Sequence, residues 1–230
     1  MVEQALDFYL ELNKWRHGSG ADHLPRASEA CARIADHLWC VDRRIRRLGM
    51  IEPLSALDRD AVAFIRKQLS GTWISVREAA LERTREIGLM PNAEIPSEDW
   101  RLSPCDFGFH NVITQNDGRL CFIDFEYAGW DDPARMVCDF FCQQQVPVSM
   151  NHYDLVRDRV AVTVSEPSQY RSRVELLLPV YRIKWCCILL NDFLPEGGAR
   201  RRFAGRADDT NEGKAEQLRK ARHVLATVIC

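Results

Sequence analysis

Apolar residues recur at spacings of three and four over most of this chain and give way to short β-prone runs near its middle. Gln4 to Lys14 reads as a first helix, followed by a loop holding Gly18, Gly20 and Pro25. Ser28 then has the character of an N-cap. After it Ala30, Ile34, Leu38, Val41, Ile45 and Leu48 form one buried stripe of a long amphipathic helix closed by Gly49. Two further helical stretches are expected over Asp58 to Leu69 and Ser75 to Ile87, the second ended by Gly88. Leu89 to Arg101, with Pro91 and Pro96, reads as a loop.

The pattern then changes. Val112-Ile113-Thr114 and Leu120-Cys121-Phe122-Ile123 are β-prone, and Asn116-Asp117-Gly118 between them is a hairpin signal. After Pro133 helices return, over Ala134 to Gln144, Asn151 to Val162, Arg173 to Leu194 and Ala215 to Ile229. A polar segment rich in arginine and glycine, Pro195 to Gly213, separates the last two. The fold class expected is mainly α with one small β-hairpin, an α+β arrangement in a single domain.

Composition narrows the function classes. At 230 residues with 46% hydrophobic content, the chain can bury a core. A formal net charge of -2 lacks the basic excess of nucleic-acid binders, so no nucleic-acid partner is expected. No apolar run approaches the ~18 residues that cross a bilayer, so no membrane role is expected. The N-terminus carries acids early and does not read as a secretory signal, which makes the cytoplasm the expected compartment. The nine cysteines include no Cys-x-x-Cys pair and read as reduced, buried thiols acting as small hydrophobes.

Candidate chemistry lies at the two ends of the hairpin. Leu102-Ser103-Pro104-Cys105-Asp106-Phe107-Gly108-Phe109-His110-Asn111 precedes its first strand, and Asp124-Phe125-Glu126-Tyr127-Ala128-Gly129-Trp130-Asp131-Asp132-Pro133 follows its second. A hairpin returns the chain to its starting point, so Asp106, Asn111 and Asp124 are expected to converge. Mg²⁺ takes hard oxygen ligands, and one carboxylate with one amide oxygen suits it when phosphate oxygens and water complete the shell. A second carboxylate held off the metal can orient an attacking hydroxyl. An Asp, four residues, an Asn, and then an Asp beyond a hairpin is the spacing found in phosphoryl transfer.

These segments resemble the catalytic and metal-binding motifs of the aminoglycoside phosphotransferase family. The run Ile123-Asp124-Phe125-Glu126-Tyr127 is also similar to its choline and ethanolamine kinase branch. The resemblance is strongest over about residues 102–142. It implies the large C-terminal lobe of a protein-kinase-like fold and an ATP- and Mg²⁺-dependent transfer of a γ-phosphate to a hydroxyl of a small molecule, aminoglycoside-, choline- or sugar-like. By the same resemblance Asp106 is the catalytic base and Asn111 and Asp124 hold metal, while Asp132, in Gly129-x-x-Asp132-Pro133, and Asp139 support the site.

Other residues near the site keep two readings. Glu126 either orients a substrate or belongs to the loop. Asp131 and Asp132 either draw a cationic acceptor to the site or, for Asp132 ahead of Pro133, cap a helix. Trp130 and Tyr127 either wall a cation site or pack in the core. The sequence departs from the family in two ways. Pro104 stands where a bracing histidine is common, with His110 offering a substitute from within the loop. Upstream of residue 100 only Lys14 and Lys67 occur, both in helical sequence, and no run of strands precedes them. The expectation is therefore that residues 1–230 form the catalytic lobe alone, with the nucleotide-gripping lobe absent. The alternative function is a kinase-like binding or regulatory module without turnover. Loss of a lobe would also expose apolar surface that invites self-association.

Overall fold

Four three-residue strands organise the middle of the chain in the computed structural model, which describes residues 1–16, 20–195 and 211–228. They are β1 (Arg101–Ser103), β2 (Val112–Thr114), β3 (Leu120–Phe122) and β4 (Gly129–Asp131). β2 and β3 form the expected antiparallel hairpin, with Val112 opposite Phe122. Its turn places Gly118 at φ +80°, a left-handed conformation that costs glycine nothing. β1 and β4 form a second antiparallel ladder outside the first, pairing Arg101 with Asp131 and Ser103 with Gly129. The loop expected to include Arg101 therefore ends one residue earlier. This ladder was hidden because β1 is short, opens on an arginine, and is followed at once by Pro104.

Helix α1 (Val2–Lys14) lies across both ladders and pairs with them through side-chain amides. Asn13 Oδ1 accepts from Leu102 N at 2.8 Å, and its Nδ2 donates to Leu102 O at 3.0 Å, as a neighbouring strand would. Gln4 repeats the device at the hairpin, accepting from Leu120 N and donating to Gly118 O. Between the two amides Phe8 stacks on Phe122 with ring centroids 4.7 Å apart.

α2 (Ile34–Leu48) starts later than expected, because Ser28 does not cap it. The Ser28 N–H donates to Tyr127 O and its carbonyl accepts from Arg135, so the residue is drawn to the strands instead. The Asp36 carboxylate takes over the helix start, accepting from Ala32 N and Arg33 N. α3 (Ala56–Phe64) opens on a capping box between Ser55 and Asp58. It runs through a π-helical turn (Ile65–Leu69) directly into α4 (Ser70–Glu86), so two expected helices form one continuous run. Gly88 at φ +72° ends it, as read from the sequence. Then come α5 (Pro133–Cys142), α6 (Tyr153–Ala161), α7 (Pro167–Leu189) and α8 (Asn211–Ala226). Gly18, residues 196–210 of the polar segment, and Ile229 lie outside the described residues. Among the described residues no helix is long and apolar enough to cross a membrane.

The chain divides into two compact units. The first, Met1–Asp36 with Thr84–Leu178, contains both ladders and every candidate site residue. The second, His37–Arg83 with Pro179–Cys230, is helical among its described residues. In it His37 Nδ1 lies 2.7 Å from the Tyr181 hydroxyl, Lys214 meets Asp58 of the capping box, and burial pushes the Cys187 thiol up to about 12. The dividing points fall within helices, so no linker composition marks them.

Candidate functional site

The hairpin does bring Asn111 against the run that ends in Asp124. Ile123 N donates to Asn111 O at 3.0 Å, one step beyond the Val112–Phe122 pair. Asn111 in turn reaches Asp106, its Nδ2 donating to Asp106 O at 2.9 Å with Oδ2 further away at 3.4 Å. With the amide nitrogen committed to Asp106, Asn111 Oδ1 is left as the atom that can face a cation. Asp106 and Asp124 are both exposed, Asp106 with 52% of its side chain open. His110 Nε2 lies 3.1 Å from Asp106 Oδ1, so the histidine braces the loop from inside the motif.

Two residues of this site hold backbone conformations that side chains rarely adopt. Cys105, just before Asp106, has φ +68°, and Asp124 has φ +66°. Each such residue costs about 1–2 kcal/mol unless its side chain compensates locally, as Asp and Asn can. An aromatic stack beneath the site fixes them. Phe107 lies 4.8 Å from Phe122 and 5.4 Å from Phe140, and Phe8 lies 5.9 Å from Phe125. Phe107, next to Asp106, is a buried ring, and Phe125, next to Asp124, stacks on Phe8 while staying partly exposed; both acids are exposed. Ile113, Ile123, Phe125 and Tyr127 leave apolar surface exposed in the same segments. Tyr127 therefore does not pack in the core. Glu126 is exposed in the turn Phe125–Ala128.

The acids after β4 behave differently. Asp131 is fully buried. Its Oδ1 accepts from Cys31 N at 2.9 Å and Asp132 N at 2.8 Å, and its Oδ2 accepts from Arg135 at 2.7 Å. A carboxylate so enclosed cannot meet a substrate, which corrects the expectation that Asp131 draws an acceptor to the site. Asp132 caps α5 through Ala134 N at 2.8 Å and receives both Nε and Nη2 of Arg173, at 3.0 and 3.1 Å. Asp139, also buried, lies 3.4 Å from Arg135 Nε.

All ten residues of α5 are buried, so its charges must be neutralised inside the protein. Arg135 does this for Asp131 and Asp139. It also donates to Ser28 O at 2.8 Å and approaches Cys105 Sγ at 3.9 Å, which ties the support to the residue before Asp106. Neither Arg135 nor Arg173 was identified from the sequence. For Arg135 a signal existed, since it stands four residues after Asp131 and four before Asp139, the latter on the same helix face. Arg173 carries no local signal. Gly129 is fixed by close approach: a Cβ there would stand 2.3 Å from Pro25 O and 2.7 Å from Ala27 N. The 25–27 segment passes over it, with Trp130 N donating to Pro25 O and Ala27 N donating to Trp130 O, both at 3.0 Å.

A cavity of about 450 Å³ opens at the other end of the β1–β4 ladder, lined by Asp22, Arg26, Glu98, Trp100 and Trp130 among others. Trp130 thus has a face on a cavity, but Asp106, Asn111 and Asp124 do not line it. Among the described residues no group of three or more His, Cys, Asp or Glu is arranged to hold a metal ion. Asn111 and Asp124 fit a cation of the Mg²⁺ type, which takes one or two protein oxygens and completes its shell with water and phosphate.

Nested ladders enclosing an Asp-x-x-x-x-Asn loop, followed by an Asp at the end of the hairpin, belong to a kinase-like fold. Two solved structures are similar to it. One is spectinomycin phosphotransferase, APH(9)-Ia, in complex with ADP and spectinomycin, at 10% identity and a TM-score of 0.53. The match covers 99% of this chain and 64% of that one. The other is an ethanolamine kinase of Plasmodium vivax, at 13% identity and a TM-score of 0.53, covering 99% of this chain and 59% of that one. The chain thus spans about three fifths of the length of these two proteins, and the likeness is one of fold. No protein-family model matches the sequence, and no curated protein does.

Proposed function

We propose that this chain carries the phosphoryl-transfer half of an ATP-dependent small-molecule phosphotransferase. The observation that carries the reading is the junction of Asp106, Asn111 and the Ile123–Asp124 step through two hydrogen bonds, Asn111 Nδ2 to Asp106 O and Ile123 N to Asn111 O. Asp106 is exposed and braced, as a residue that receives a substrate hydroxyl needs to be. In the transfer, the acceptor oxygen forms a bond to the γ-phosphorus, the bond from that phosphorus to the β,γ-bridging oxygen breaks, and ADP leaves. The hydroxyl proton passes to the Asp106 carboxylate. Asn111 and Asp124 would hold Mg²⁺, which supplies charge neutralisation to the phosphates. Orientation is the larger part of such catalysis.

The acceptor class stays broad: a small hydroxyl compound, with a cationic one no longer favoured by Asp131. The test is thermal unfolding of the chain and of Asp124→Asn, with and without Mg²⁺ and ATP. Selective binding at 100 times the dissociation constant adds about 2.7 kcal/mol. A rise in Tm for the unaltered chain that Asp124→Asn abolishes is the expected result. No rise in either protein defeats the reading and leaves a kinase-like module that has no nucleotide site of its own.

A further inference from the structure

The two nitrogens of His110 lie in unlike surroundings. Nε2 lies 3.1 Å from Asp106 Oδ1. Nδ1 is buried without a hydrogen-bonding partner among the described residues, and the side chain as a whole is 7% exposed. Gly108 closes over that edge of the ring: a Cβ on it would stand 2.7 Å from both Nδ1 and Cε1. Glycine is thus required at 108 for contact rather than for its dihedral angles, since its φ of -178° is ordinary extended backbone.

This asymmetry decides where the ring carries its proton. An N–H donor buried with no acceptor forfeits the whole of its hydration, whereas a bare ring nitrogen forfeits only a weaker acceptor interaction. A proton on Nδ1 would be stranded. A proton on Nε2 meets a carboxylate oxygen, and a hydrogen bond to an ionised acceptor is among the stronger ones. The residue two before Asp106 is a proline, which offers no side-chain donor.

We propose that His110 is a positioning residue: it carries its ring proton on Nε2, donates it to Asp106 Oδ1, and so holds this half-exposed carboxylate in one orientation for the acceptor. Asn111 clamps the main-chain oxygen of the same aspartate, and the two adjacent side chains divide the task. Gly108 belongs to the device, because only glycine lets the ring lie where Nε2 reaches Asp106. The positioning role rests on the phosphotransferase reading, whereas the hydrogen bond and the tautomer stand independently of it.

The test uses the full chain labelled with ¹⁵N and with ¹³C at aspartate carboxyls. Long-range imidazole ¹H–¹⁵N correlations are expected to give the Nε2–H pattern for His110, assigned by its loss in His110→Gln. An Nδ1–H pattern, or an average of the two tautomers, overturns the proposal. The Asp106 carboxyl resonance, assigned by Asp106→Asn, is then followed in two variants. Glutamine places its amide nitrogen near the position of Nε2 and is expected to leave that resonance nearly in place. Asparagine places it near Nδ1 and is expected to move it. Equal shifts in both variants also overturn the proposal, and unfolding curves for each show that the fold is retained. Where the chain turns over ATP, His110→Asn is expected to lower kcat by about tenfold or more with KM for ATP little changed, and His110→Gln to recover most of it. Equal loss in the two again defeats the positioning role. Failure of the unaltered chain to bind Mg²⁺ and nucleotide, with the tautomer as expected, sinks the phosphotransferase reading and the role with it. An Nδ1–H tautomer in a chain that binds nucleotide sinks the role alone.

Discussion

The two ends of the β1–β4 ladder carry acids of opposite kinds. At the Ser103–Gly129 end the chain continues to Asp106 and Asp124, both exposed, with left-handed backbone at Cys105 and at Asp124 itself. At the Arg101–Asp131 end stand Asp131 and Asp132, buried, in ordinary backbone, and held by Arg135 and Arg173. The same residue type stands open to solvent at one end and is built into the architecture at the other. What separates them is access. Asp131 accepts from two backbone amides and an arginine inside the protein, out of a substrate's reach, whereas Asp106 lies beside His110 with half of its side chain open to solvent.

The contrast is broken most severely by removing a buried partner. Asp132→Ala strips Arg173 of its bidentate acceptor and α5 of its cap. Breaking a buried ion pair from one side costs about 3–5 kcal/mol, so a loss of that order is expected in urea unfolding. Asp132→Asn, which keeps a capping oxygen, should lose less. Equal losses would mean that the charge and not the cap matters. Gly129→Ala comes next. Its Cβ would press on backbone rather than on a side chain that can swing away, and overpacking of that kind costs about 1–3 kcal/mol. Asp124→Asn tests the other end. An exposed acid in a conformation that asparagine also tolerates should change stability by no more than about 0.5 kcal/mol, even while abolishing the nucleotide-dependent rise in Tm. A large loss of stability there would remove the distinction between the two ends.

Much of this was legible in the sequence because it is local. The hairpin follows from Asn116-Asp117-Gly118 between two β-prone runs, and the pairing of Asn111 with Ile123, the residue before Asp124, follows from the hairpin. The Asp132-Pro133 cap was readable for the same reason. What escaped notice depends on contacts distant in sequence. β1 pairs with β4 across 25 intervening residues, with too few positions in either strand to show alternation. Asn13 reaches Leu102 through an amide that looks like any polar residue on a helix. Asp131 was read as a substrate contact because acidity near a site is visible in sequence, whereas Cys31 N and Arg135 filling its oxygens are not. Ser28 was read as a cap because its type fits, yet the strands claim it first.

The smallest expected effect concerns an acid of neither kind. Asp158 on α6 is partly exposed, yet its carboxyl is held below the usual range, first by the hydrogen bond from Arg157 and then by that from Arg171. Solvent screening keeps such a pair to a modest contribution. Its sign is nonetheless fixed. A carboxyl whose folded pKa is depressed stabilises the fold fully above its unfolded value of about 3.9, and the contribution fades as pH falls through the folded one. The difference in unfolding free energy between the unaltered chain and Asp158→Asn should therefore stay level from neutral pH down to about pH 5, then shrink toward zero below about pH 4. Denaturant titrations across that range measure it. A difference that persists at low pH would show that Asp158 acts through hydrogen bonds its amide analogue cannot make. Its charge would then be incidental, as it is not at either end of the ladder.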